Sequence, residues 1–281
     1  MAKRQLDELS TFRRLVTVVY PSGIVSIVSD TWDFWQVITE YARVLKGEIL
    51  ERRPNALGQA KVVFRPDSGD PVKILTGYTD DELVCGADGQ PVRSSDGRYS
   101  VMGGDGAGTV PATLITEAER KGAVACLWDI FGGTLTGKGF RVLNQRVGLI
   151  YGDSITLKRA ELILERLRNK GFASTNCVFG VGSYSYQYLT RDSFGMAMKA
   201  TWGKVKGKAR ELSKDPKTDN GVKKSAVGLL RVERQGGDYV MFDRQTEAQE
   251  TQGLLQDVFV DGKLVREHTL AQIRERLRNG G

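Results

Sequence analysis

The sequence predicts an α/β protein: a parallel sheet or barrel followed by a β-rich appendage. Between residues 24 and 195, short β-branched runs alternate with segments whose apolar residues recur at helical spacing. Three of those runs lead into an aspartate, and a fourth into a Gly/Ser loop. After about residue 200 the texture changes to paired β-runs with turn signals.

Taken in order, residues 1–23 form a lead-in. Its start, MAKRQLDELSTFRR, has no apolar core of the kind a secretory signal needs. The apolar stretch from Leu15 to Val28 is broken by Pro21, Ser22 and Gly23, so no membrane span is expected. IVSIVS (24–29) reads as a buried strand, and the helical pattern after it, DTWDFWQVITEYARVLKG, is expected to stop at Gly47. KVVF (61–64) is a second strand, followed by the turn-rich RPDSGDP. Residues 80–115 are rich in Gly, Asp and Ser and lack a period, which suggests an exposed insertion or mobile loop. A helical pattern resumes over 119–133. VGLIY (147–151) is a third strand; the helix after it carries Leu157, Leu162, Leu164 and Leu167 and stops at Gly171. CVFG (177–180) is a fourth strand. The appendage contains KATWGKV, VGLLRVER, YVMF and VFVDGKLV, where Asp261-Gly262 is a hairpin signal, and closes on the amphipathic HTLAQIRERLRN. The expected domains are thus 1–23, an α/β barrel portion over 24–198 with the insertion at about 80–115, and 199–281.

Composition is that of an ordinary soluble domain: 281 residues, 40% hydrophobic, 27% charged. Three separated cysteines make neither a zinc motif nor a disulfide framework, so a reduced, cytoplasmic protein is expected. The net charge of +7 is local, since residues 199–224 hold nine Lys/Arg against three Asp/Glu. A solvated lysine-rich loop, a nucleic-acid patch and a phosphate-binding loop all fit that segment. With one aromatic residue and no arginine series, it is a poor nucleic-acid surface.

The chemistry is expected at the strand ends. Asp30 follows the first strand, Asp67 stands two residues after Arg65, and Asp153 follows Gly152. In parallel sheets and barrels the carboxyl ends of all strands share one face, where sites are built. Each aspartate alone is also a natural helix cap. Together they need something between them, because like carboxylates repel. Water-bound Mg²⁺ with substrate phosphates, or ribose hydroxyls, fit that need. The Gly182–Ser183 loop offers backbone N–H groups to a phosphate, and Arg191 a bidentate contact. A phosphorylated sugar is the substrate class these types suggest. GGTLTGKG (132–139) has P-loop spacing, but Gly139 stands where Ser or Thr must hold Mg²⁺.

GIVSIVSDTWDFW, VVFRPDSGDPVKIL, LIYGDSIT, VFGVGSYSYQYLTRDSFGMAMKAT and KDPKTDNGVKKS, in this order and spacing, resemble the nicotinamide phosphoribosyltransferases of bacteria and phage. The resemblance covers nearly the whole chain outside 80–115. It implies the irregular α/β barrel of type II phosphoribosyltransferases, here partial, with a β-rich domain, and a homodimer with active sites at the interface. It implies a pentosyl transfer that makes nicotinamide mononucleotide and pyrophosphate from nicotinamide and phosphoribosyl pyrophosphate, in NAD salvage. By the same resemblance Asp30 would serve Mg²⁺ through water, and Ser26 would line the nicotinamide tunnel. Arg65 and Asp67 would hold diphosphate and ribose, and Gly152 and Asp153 the ribose hydroxyls. Gly182, Ser183 and Arg191 would grip the 5′-phosphate. Lys199, Lys214 and Lys223 would reach phosphates across the dimer. Ser183 and Tyr184 replace glycines of the family. ATP would be a coupling substrate.

The match is to the C-terminal part of longer proteins. The residues that sandwich nicotinamide, read its amide and carry the phosphorylated histidine belong to the other part. His268, the one histidine here, reads as a helix-start or surface residue. The expectation is a split enzyme, paired with a chain holding the N-terminal half. A nicotinate-specific enzyme, an inactive remnant and, last, a nucleic-acid-binding module are the alternatives.

Overall fold

A computed structural model describes residues 2–102, 113–182, 187–189, 192–194, 196–214, 217 and 224–279. The chain divides into two compact units: Met1–Ala197 with Lys214–Lys224, and Met198–Ser213 with Ser225–Gly281.

The first unit is built on a parallel sheet of β1 (Val25–Val28), β2 (Val62–Arg65), β3 (Val147–Tyr151) and β4 (Cys177–Phe179), in that order across the sheet. Register places Ile27, Phe64, Leu149 and Cys177 in one row and Val28 beside Arg65 in the next. Alternation then sorts the faces. Val25, Ile27, Val62, Phe64, Val147, Leu149 and Cys177 are buried under helices. The opposite face carries Ser26, Val28, Val63, Arg65, Ile150 and Val178, of which Val28 is 44% and Val178 58% exposed. The sheet is open; among the described residues no strand closes it into a barrel.

The helical layer comprises α1 (Ala2–Arg14), a helical run over 34–50, α2 (Pro71–Thr76), α3 (Ala123–Phe131) and α4 (Leu157–Asn169). One detail differs from the sequence reading, and one adds to it. The run does not stop at Gly47: the turn Lys46–Leu50 contains it, because Ile49 is drawn fully into the core. In α4 the inward residues are Ile163 and Leu167, while Leu157, Leu162 and Leu164 are exposed. Thr156 caps that helix by accepting the Arg159 N–H.

The described part of the 80–115 region is also folded. Tyr99–Val101 pairs with Thr113–Ile115, and Leu83, Tyr99 and Ile115 make a small core of their own. Glu82 ties this piece to α2 and α4 through ion pairs with Lys73 and Arg166. The GGTLTGKG segment is the turn of an antiparallel hairpin, Gly133–Leu135 with Arg141–Leu143, not a strand-to-helix phosphate loop.

The second unit holds β5 (Trp202–Val205) paired with β6 (Lys208–Glu211), and β7 (Leu229–Gln235) paired with β8 (Asp238–Gln245). Phe259–Val260 and Lys263–Leu264 form the expected hairpin, with Asp261 and Gly262 both at positive φ. α5 (Leu270–Arg278) begins at a Thr269 cap, directly after the exposed His268. Its apolar stripe, Leu270, Ile273 and Leu277, is exposed.

All three cysteines are free. Burial pushes the Cys126 and Cys177 thiols up to about 12, so they act as small apolar side chains. No helix of the described residues is long and apolar enough to cross a membrane.

Candidate functional site

The carboxyl ends of β1, β2 and β3 build the site. Ser29, fully buried after β1, locks the first two ends together. Its N–H donates to the Arg65 carbonyl at 3.0 Å, its hydroxyl accepts the Arg65 N–H at 3.2 Å, and that hydroxyl donates to the Ile27 carbonyl at 2.7 Å. Asp30 follows, also fully buried. Its Oδ2 accepts the Asp67 N–H at 3.1 Å, so the first two expected aspartates meet. Its Oδ1 is buried without a hydrogen-bond partner, with Lys214 Nζ at 4.0 Å.

Tyr151, at the end of β3, holds the loop after β2 from below. Its hydroxyl donates to the Gly69 carbonyl at 2.9 Å, and Asp70 next in line caps α2 by accepting the Val72 N–H. Burial pushes the Tyr151 hydroxyl far above its ordinary range, and the negative charges of Asp153, Asp30, Asp67 and Asp70 push the same way. The charges of four carboxyl groups, Asp153 and the other two expected acids among them, thus act on one buried phenol.

The β3 and β4 ends approach closely. The Gly180 N–H donates to the Tyr151 carbonyl at 2.8 Å, and a Cβ at Gly180 would stand 2.6 Å from the Gly152 Cα. A Cβ at Gly152 would stand 3.4 Å from the Arg65 guanidinium. Arg65, Gly152 and Gly180 thus lie side by side. Ser154, just after Asp153, takes a left-handed backbone with φ 56°, and its carbonyl accepts from the Arg159 guanidinium of α4 at 2.6 Å.

The remaining expected residues fall elsewhere or outside view. Ser26 lies on the exposed face of β1, two residue pairs before Arg65 along the sheet. Gly182 is exposed beyond β4 with open space around its Cα. Lys214 stands beside Asp30 of its own chain. Lys199 is exposed and belongs to the second unit. Ser183, Arg191 and Lys223 lie outside the described residues. The sequence reading passed over Ser29, Tyr151 and Gly180, which hold the frame from behind. Only the Gly180 position carried a signal, as the residue ending the fourth strand.

With that geometry in place, the model of the nicotinate phosphoribosyltransferase (NAPRTase) family matches residues 1–263. The chain belongs to this family. As a NAPRTase-family chain it is 56% identical over 271 residues to a protein named nicotinamide phosphoribosyltransferase from Acinetobacter baylyi, covering 96% of this chain and 47% of that protein. Relatives of the same name come from Mycoplasma pneumoniae, 35% identical over 218 residues (78% of this chain, 40% of the relative), and Xanthomonas campestris pv. campestris, 31% identical over 274 residues (95% and 47%). The chain spans less than half the length of these curated relatives.

Proposed function

We propose that this chain carries the phosphoribosyl-diphosphate side of a nicotinamide phosphoribosyltransferase. The observation that carries the reading is the joined pair Asp30–Asp67, with one buried Asp30 oxygen left without a donor and a lysine at its edge. A buried unpaired carboxylate oxygen is costly unless a cation or hydroxyl comes to it.

In the proposed reaction the ring nitrogen of nicotinamide bonds to C1′ of the sugar. The C1′–O bond breaks, and its electron pair leaves with pyrophosphate. Positive charge builds on the ribose ring as it does in glycosyl transfer. Asp67 and Asp153 hold the ribose hydroxyls and keep C1′ in line. Arg65 and Lys214 take the diphosphate charge. Gly152, Gly182, Ser183 and Arg191 hold phosphate and sugar, Lys199 and Lys223 serve phosphates from the partner of a homodimer, and Ser26 faces the base. The donor set fits Mg²⁺ held through water: Asp30 offers one oxygen, and no group of three or more metal-binding side chains occurs among the described residues. When bound, Mg²⁺ supplies charge neutralisation on the leaving diphosphate. ATP is retained as a coupling substrate, with no role for His268 in it.

The base-binding side is assigned to the half of the family's length that this chain does not span, supplied by a separate polypeptide. The bare face of the parallel sheet supports that assignment, because parallel sheets are ordinarily covered on both faces. Cytoplasmic location belongs to the same proposal.

The test mixes this chain with the N-terminal half of a related nicotinamide phosphoribosyltransferase. Mononucleotide is assayed from nicotinamide and phosphoribosyl pyrophosphate, with nicotinate as competitor. Product is expected with nicotinamide, and Asp67→Ala should abolish it while the two halves still co-elute. Assembly without product, or preference for nicotinate, refutes the reading.

A further inference from the structure

Two short loops of the first unit carry opposite charges at the same spacing. Asp30 and Asp33 lie three residues apart after β1; Lys214 and Lys217 lie three residues apart in the basic segment. The structure joins them pairwise. Lys214 Nζ stands 4.0 Å from Asp30 Oδ1, and Lys217 Nζ stands 2.5 Å from Asp33 Oδ2. A backbone bond registers the two loops, from the Lys217 N–H to the Trp32 carbonyl at 3.0 Å. Asp33 divides its oxygens, because Oδ1 accepts the Gln36 N–H at 3.3 Å and so fixes the carboxylate on the helix start.

The two pairs differ in setting. The Asp30 side chain is 1% exposed and that of Lys214 25%, whereas Lys217 is 62% exposed. An exposed ion pair contributes little to stability, and such pairs are screened by salt. Its consequence here is positional. Anchoring Lys217 fixes the chain three residues from Lys214 and limits where that ammonium can go.

We propose that Asp33 and Lys217 form a clamp that positions Lys214 over Asp30, so that an ammonium is already in place when a diphosphate-bearing substrate arrives. This rests on the phosphoribosyl reading above and deepens it. Lys217 and Asp33 are positioning residues, since neither is placed on the substrate. The clamp holds the lysine within its own chain.

Asp33→Asn removes the charge and keeps an oxygen for the Gln36 cap; Lys217→Gln removes the other partner. Limited trypsin digestion of the full chain reads the clamp alone, and both variants, which keep Lys214, should be cut after Lys214 several times faster than the parent. Calorimetry with phosphoribosyl pyrophosphate and Mg²⁺ reads its purpose. Each variant should bind about tenfold more weakly, and the double variant no worse than either. Lys217→Arg should restore the affinity. In the assembled enzyme KM for phosphoribosyl pyrophosphate should rise with kcat nearly unchanged. Unchanged cleavage, or additive losses in the double variant, overturns the clamp even where the parent binds. A parent that binds no phosphoribosyl pyrophosphate, with cleavage accelerated in the variants, overturns the phosphoribosyl reading and the purpose given to Lys214 with it.

Discussion

Glu8 sits among acids. Its carboxyl shares a hydrogen bond with Tyr41, and the charges of Asp33 and Asp30 act on it. Burial, opposed by the Tyr41 bond and aided by those two aspartates, raises its pKa from 4.5 to about 7. Tyr41 responds in kind, pushed up to about 12 by burial first and by Glu8 next. The folded chain therefore holds a proton that the unfolded chain has released, and its stability falls as pH rises from about 4.5 to about 7. Because the group is only half-buried, screening reduces the loss to about 1–2 kcal/mol. Glu8→Gln fixes the neutral form. Urea unfolding at pH 5 and pH 7.5 should show a steep difference in the parent and a flatter one in the variant, which gains stability at the higher pH. Equal slopes in both would place the pH dependence elsewhere. Burial and like charge thus act together at one residue.

Strands and turns carry the site, and their legibility in the sequence followed from how locally each is determined. β3 ran over the residues of the VGLIY run, because a buried strand needs little more than consecutive β-branched or aromatic residues. The Asp261-Gly262 hairpin was equally readable, since its turn requires positive φ at both positions. The end of the helical run at 50 was not, because Ile49 belongs to the core and packing outweighed Gly47. The inward face of α4 was not legible either: four leucines gave no clue which stripe the sheet would cover. Within the site, Asp30, Arg65, Asp67, Gly152 and Asp153 announced themselves at strand ends. Tyr151 did not, because a strand tyrosine reads as core until its hydroxyl is seen on Gly69. Gly180 also needed the neighbouring strand to explain it. Gly180→Ala should drive a methyl into the Gly152 backbone and cost about 1–3 kcal/mol by denaturant unfolding. Gly182→Ala, with open space around it, serves as the control and should unfold at the parent midpoint.

Across the whole molecule the uneven feature is the sheet's bare side. Helices cover Ile27, Phe64 and Leu149, while Val28 and Val178 are 44% and 58% exposed on the other face, together with part of Ile150 and Val63. In the second unit α5 also leaves Leu270, Ile273 and Leu277 exposed. Exposed apolar residues on the face of a parallel sheet point to an interaction face. The site's Arg65 lies on the bare face itself, in register with Val28, so whatever covers that face also borders the diphosphate side of the site. Val178→Asp separates folding from assembly. In the isolated chain the side chain is already largely in water, so the melting temperature should stay within about 2 °C of the parent, in line with surface substitutions elsewhere. Binding of an apolar dye should fall. Co-elution with the N-terminal half should be lost, and mononucleotide formation with it, because a carboxylate would be buried unpaired in the interface. If Val178→Asp assembles and turns over like the parent, the bare sheet face is not where the other half docks, and the covering surface must be sought at the free edges of β1 and β4 instead.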